Sequence, residues 1–176
     1  MSLANRAGIA VLLAAALFGS FFITLWLTEP AAVGTASIAD DRSDVERLAA
    51  RHISNATDLL TAANDIGLYP SVRMRGNIDV LRRMSEGVVS VTGWAADTRG
   101  DATPLDILVF VGGTLAAKTQ TKGERPDVTQ AVHLGFGAEK NISFSVNFSC
   151  RPGEQSVTVG IGTARQYIPL TSGPCP

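Results

Sequence analysis

Among 176 residues the chain has only two cysteines and two histidines, and that scarcity narrows its chemistry first. His52 and His133 stand alone. No H-E-x-x-H, no G-x-S-x-G elbow and no G-x-x-x-x-G-K-[ST] loop accompanies them, so the usual catalytic constellations are missing. A triad assembled in space around His133 stays open, because triads obey no sequence order; otherwise no enzyme and no cofactor are expected. Asp97, Asp101 and Asp106 do not match a calcium loop and fit turn-forming carboxylates better than a metal site. Charge is also scarce, at 18% of residues. Beyond residue 28, sixteen acidic residues face fourteen basic ones, and no RNP or zinc-finger pattern occurs, so nucleic acid is excluded as a partner.

What the chain does have is one long apolar run, from Ala7 to Thr28, bounded by Arg6 and Glu29. Its 22 uncharged residues would span roughly 33 Å as a helix, enough to cross a hydrocarbon core of about 30 Å. Phe21, Phe22 and Trp26 lie toward its far end, where an indole suits the headgroup level. A cleaved signal peptide with Gly34 and Ala36 before the cut is the competing reading, but its apolar core is normally shorter. Arg6 on the near side, against no Lys or Arg on the far side until Arg42, favours N-terminus inside and C-terminus outside. The expectation is therefore a single-pass anchor (1–28) in a bacterial inner membrane, with lipid as one partner and the rest of the chain in the periplasm. Ala10/Ala14 and Ala15/Gly19 are small-xxx-small spacings that let spans pack closely. Cys150 and Cys175, an even count in an oxidising compartment, suit one disulfide.

Residues 29–42 are small, polar and unpatterned, as a linker would be. Ser43-Asp44-Val45-Glu46 then matches a capping box and predicts one amphipathic helix over 43–67, stopped by Gly67 and Pro70. Val45, His52, Leu59 and Ile66 recur every seven residues, a narrow seam widened by Leu48 and Leu60. That seam can pack on its own chain, on another protein or on a second copy as a coiled coil.

From Gly76 the period changes to two. Residues 141–150, NISFSVNFSC, alternate without error, and Val157, Val159 and Ile161 repeat the pattern. Leu105 to Val111 is continuously apolar, as a strand buried on both faces would be. Further strands are expected at 77–83, 87–96, 114–121 and 164–170, separated by Gly, Pro and Asp turns. Short strands at such spacing predict an all-β antiparallel sandwich of immunoglobulin-like kind over 74–176.

Gly93-Trp94-Ala95-Ala96-Asp97, the strand ending Val109-Phe110-Val111-Gly112-Gly113, and Arg125-Pro126-Asp127-Val128 followed by Phe136 carry a family resemblance. In that order they resemble the small β-sandwich accessory module of some bacterial glycosyltransferases and envelope-polysaccharide proteins. The resemblance covers roughly 74–171 and implies the sandwich and an envelope setting. It carries over no catalytic residue, since no catalytic domain lies beside the module here.

Two surfaces invite a ligand. Trp94 would stack on a sugar if exposed, although a tryptophan on a sandwich strand is usually a core anchor. Arg73, Arg75, Arg82 and Arg83, opposed only by Asp79, suit lipid headgroups, an acidic polysaccharide or a charge-protected edge strand. Arg99-Gly100-Asp101 spells an adhesive tripeptide, but three residues in a turn carry little. The expectation is a non-catalytic envelope protein whose sandwich contacts a protein partner in an envelope or membrane complex. The alternative is a carbohydrate-binding module acting on envelope polysaccharide.

Overall fold

The computed structural model describes residues 38–99, 103–132 and 140–176, with side chains from Asp44 onward. The apolar run over 7–28 with Ala10, Ala14, Ala15 and Gly19, the small pair Gly34 and Ala36, and Asp101, His133 and Phe136 lie outside the described residues. Among those described, no helix is long and apolar enough to cross a membrane.

The one helix expected over 43–67 is two, α1 (Ile38–Ala49) and α2 (Ala56–Asp65). Ser43 therefore sits inside α1, and the working cap is twelve residues later. Asn55 accepts from the N–H groups of Thr57 and Asp58, while Asp58 Oδ2 accepts from the Ser54 N–H at 2.9 Å. This reciprocal arrangement satisfies the orphan donors that start a helix. Between the helices Ile53 turns inward and bonds Gly113 through its N–H at 2.8 Å, which breaks the seven-residue seam at exposed His52. The rest of the seam does what an apolar stripe must. Val45, Leu48, Leu59, Ala63 and Ile66 bury against Leu108, Phe110, Val157, Val159, Ile161 and Tyr167 of the sheet, while Leu60 stays exposed. A face so covered by its own chain has no room for a coiled-coil partner.

Among the described residues the strands are β1 (Tyr69–Pro70), β2 (Met74–Ser85), β3 (Val88–Asp97), β4 (Asp106–Val111), β5 (Thr114–Gln120), β6 (Ser143–Ser149), β7 (Gln155–Ile161) and β8 (Gln166–Pro174), with a short helix α3 (Pro126–Val132) between β5 and β6. They form two sheets ordered β1-β8-β7-β4-β5 and β2-β3-β6, antiparallel throughout except for β1 beside β8. The run Leu105 to Val111 is buried on both faces, as its pattern predicts. Leu108 and Phe110 point to the helices, while Ile107, Val109 and Val111 point to the second sheet. There they meet Val89, Val91, Ala95, Phe144 and Phe148. Ile142 departs from the alternation: it precedes β6 and buries with Ala96 and Val128 in a separate, third cluster.

One polar contact ties helix to sheet, and a second pair closes the end of β3. Buried Asp44 on α1 pairs with Arg47 and faces Arg165 Nε at 3.4 Å. Arg165 belongs to the β7–β8 turn, where it and Ala164 hold φ of 56° and 57°, a region that L side chains rarely adopt. At the same end Asp97 is bonded by Arg99 through both N–H and guanidinium. Burial works against its ionisation, but the hydrogen bonds and positive charge of Arg99, helped by Arg73, outweigh it and hold the pKa below the usual carboxylate value. Such a group stabilises the fold fully above its unfolded pKa, near 4, and loses that contribution as pH falls through the lower folded value. Acid unfolding followed by circular dichroism should show this loss below about pH 4, and Asp97→Asn should flatten that part of the curve. An unchanged curve would mean the pair contributes nothing to stability.

Candidate functional site

One concavity lies on the outer face of the three-stranded sheet, and its construction begins at Gly93. A Cβ there would fall 2.9 Å from Phe144 Cζ and closer still to the Asn77 carbonyl. Only glycine lets the three strands approach so closely at this point. Next to it Trp94 turns outward and packs, half-buried, on the cluster of Ala96, Val128 and Ile142, against which Val132 also packs. Val128 belongs to α3, whose first residue is Pro126, a proline placed where its missing N–H costs nothing. The two motif fragments G-W-A-A-D and R-P-D-V thus meet in space: the indole of one is a floor for the helix started by the other. Trp94 acts mainly as a structural clamp.

Arg125, just ahead of that helix, reaches back across the sheet. Its guanidinium bonds Asp79 Oδ2 at 2.6 Å and takes Asp127 in a fork at 2.7 and 2.9 Å. Its hydrogen bond holds the Asp127 carboxyl down at about 2, and the two carboxylates push the pKa of Arg125 up. Asp79 can take part because β2 bulges between Ile78 and Val80, which turns that residue toward the connection from β5. The result is a cleft of about 290 Å³. Thr92, Gly93, Ser143, Phe144 and Ser145 line its floor, with Asp79, Lys122 and Arg125 at its sides. The backbone of Lys122 is pinned there. Its N–H donates to the Ser143 carbonyl at 2.7 Å, and Ser143 Oγ donates to its own carbonyl.

A larger groove of about 670 Å³ lies between α1 and β5, lined by Glu46, Asp106, Lys118, Thr119, Gln120 and Lys122. Half of its lining is paired within itself: Lys118 sits 3.7 Å from Asp106, which also accepts from Gln120 at 3.2 Å.

The register divides the arginines singled out from the sequence. Arg75 and Arg82 pair with Ala96 and Ser90 and so share the outer face with Trp94. Arg83 pairs with core residue Val89, faces the other way and donates to the Pro176 carbonyl. Arg73 precedes β2, beside Asp97. Arg75 and Arg82 are themselves roughly 24 Å apart at about 3.4 Å per residue, so the four do not make one patch. His52 is exposed, its Nε2 sharing a hydrogen bond with Ser54 Oγ, and no cluster of potential metal ligands occurs among the described residues. Arg99 of the adhesive tripeptide is committed to Asp97. Cys150 and Cys175 are joined, both buried, with Cα atoms 6.3 Å apart.

Sequence reasoning missed Asp79, Thr92, Ser143, Ser145 and Lys122 as one site. Only Arg125 carried a signal, as part of the R-P-D-V fragment. The others come together through a bulge and a change of sheet that no local pattern announces. The chain matches no known protein family, no curated protein and no solved structure, so the site's own geometry must carry the functional reading.

Proposed function

We propose that the protein is a non-catalytic, membrane-anchored module of the bacterial envelope. The apolar run of 7–28 holds it in the inner membrane, and an immunoglobulin-like sandwich in the periplasm contacts a partner of an envelope complex. The strand order supports that fold assignment. The chain passes between sheets after β1, after β3, after β5 and again after β6, as a Greek-key sandwich does. The joined Cys150 and Cys175 support an oxidising compartment.

The observation that carries the protein-contact reading is the edge at β1. Only two residues long, it pairs on one side with β8 and exposes Tyr69 at 63% and, just beyond, Val72 at 82%. A sheet edge bearing an aromatic and a β-branched side chain in solvent suits attachment to another chain. In mild detergent the full-length protein should migrate in a large assembly on a native gel. Tyr69→Asp with Val72→Asp should dissolve that assembly without changing the melting temperature. A wild-type monomer would sink the reading.

A second reading, binding of envelope polysaccharide, is favoured by the cleft at Asp79, Lys122 and Arg125. Its floor of hydroxyls is what a sugar requires, and the resemblance to polysaccharide-associated modules points the same way. Stacking on Trp94 is not part of it, because that ring is occupied by α3.

A further inference from the structure

The outer face of β2-β3-β6 has a chemistry unlike the rest of the surface. Every outward position of β6 is small and polar: Ser143, Ser145, Asn147 and Ser149. Opposite Ser145 on β3 stands Thr92, while Ser90, opposite Asn147, is itself buried, so the open lane of hydroxyl and amide groups runs from the cleft down β6. The side chains of Thr92, Ser145 and Asn147 have no hydrogen-bond partner among the described residues. An ordinary solvated sheet face carries long charged side chains in such places; here the charges stand at the borders. Lys122 flanks the lane at the cleft, and Arg82, paired with Ser90, flanks it farther down β2.

The anions of this face are already committed. Asp79 and Asp127 both bond Arg125, while Lys122 and Arg82 have no carboxylate partner among the described residues. Around the cleft and lane three cations, Lys122, Arg82 and Arg125, meet two carboxylates, both held by Arg125. A ligand that fits must offer many hydroxyls to the floor and bring negative charge of its own to the borders.

We propose that the cleft and its lane bind an acidic sugar chain, with Lys122 and Arg82 facing its carboxylates and Thr92, Ser145 and Asn147 its hydroxyls. This rests on the polysaccharide reading above and narrows it to carboxylate-bearing sugars. The floor offers no exposed aromatic ring, so recognition is by hydrogen bonds and charge, and binding weakens as salt is added.

The experiment uses the full chain in mild detergent, titrated at low salt with oligogalacturonate and with oligogalactose of equal length. The two probes differ only in a carboxylate against a hydroxymethyl group. Oligogalacturonate should bind about tenfold more tightly, the order of one well-placed charge contact. Lys122→Ala and Arg82→Ala should each weaken it about three- to tenfold with unchanged melting temperature, because both side chains lie outside the core. Ser145→Glu, which puts a carboxylate on the floor, should abolish it. Equal binding of the two sugars would leave the polysaccharide reading standing and overturn the preference for acid. Binding of neither would overturn both. Acid-selective binding that Lys122→Ala, Arg82→Ala and Ser145→Glu all leave intact would place the ligand elsewhere and overturn the site.

Discussion

Phe110→Ala is expected to lower stability by about 3–5 kcal/mol, the range for deleting a fully buried aromatic ring. Phe110 is wholly buried on β4, the strand covered on both faces, and its ring enters the cluster where α1 and α2 meet the sheet. The neighbours that would have to collapse into the cavity are Leu48, Leu59, Val157 and Val159, held on two helices and a central strand. They cannot all move together, so most of the void should remain. A domain of this size has only about 5–15 kcal/mol to lose. Urea unfolding followed by circular dichroism would measure the loss, with Leu115→Ala on exposed β5 as the comparison, expected to cost well under 1 kcal/mol. A loss below about 1 kcal/mol for Phe110→Ala would mean that the helices do not pack on this sheet face.

Opening the Cys150–Cys175 bridge should cost about 3–4 kcal/mol. The bridge closes a separation of 25 residues, and in the loop-entropy account its effect is to restrict the unfolded chain. It also holds a backbone exchange in place: the Cys175 N–H donates to the Glu154 carbonyl at 2.8 Å, and the Gly153 N–H to the Cys175 carbonyl at 3.2 Å. Replacing both cysteines by alanine keeps the site apolar and isolates the covalent contribution. Thermal melting of this variant should match that of the reduced wild type. The bridge buries with the second-sheet core and Phe110 with the helix core, so the two losses should add to within about 0.5 kcal/mol. A reductant that opens the bridge and leaves the melting temperature unmoved would show that the bridge contributes nothing to stability.

The strands were legible because their period is strict. The unbroken apolar run to Val111 says that both its faces are buried, and they are. Alternation in 155–161 marks Val157, Val159 and Ile161 as buried, which they are, but the structure buries Ser156 and Thr158 on the other face as well. The break between α1 and α2 was hidden by a competing signal. The S-D-V-E pattern at Ser43 looks like a helix start, while the true cap at Asn55 depends on Ile53 being drawn to Gly113, a long-range contact. Helix α3 was hidden for a related reason: Pro126 is both a turn former and a good first helical residue, and burial of Val128 decides between the two. The cleft was the least visible. Asp79 and Arg125 are 46 residues apart, and a single bulged residue brings them together. Bulges follow from the register of a whole sheet, so five residues around one of them cannot disclose it.

The disulfide also sets how a pull on the chain would be shared. Force applied at the C-terminus reaches Cys175 and passes through the bond to Cys150, bypassing β7 and β8, which lie between them. Force entering from the N-terminal side meets α1 first, held by its apolar face and by Asp44 against the β7–β8 turn. Stretched from its two ends, the molecule would thus yield at its helices and keep the β7–β8 hairpin off the load path. The helices would then serve as a mechanical fuse beneath a sandwich whose last hairpin is covalently spared.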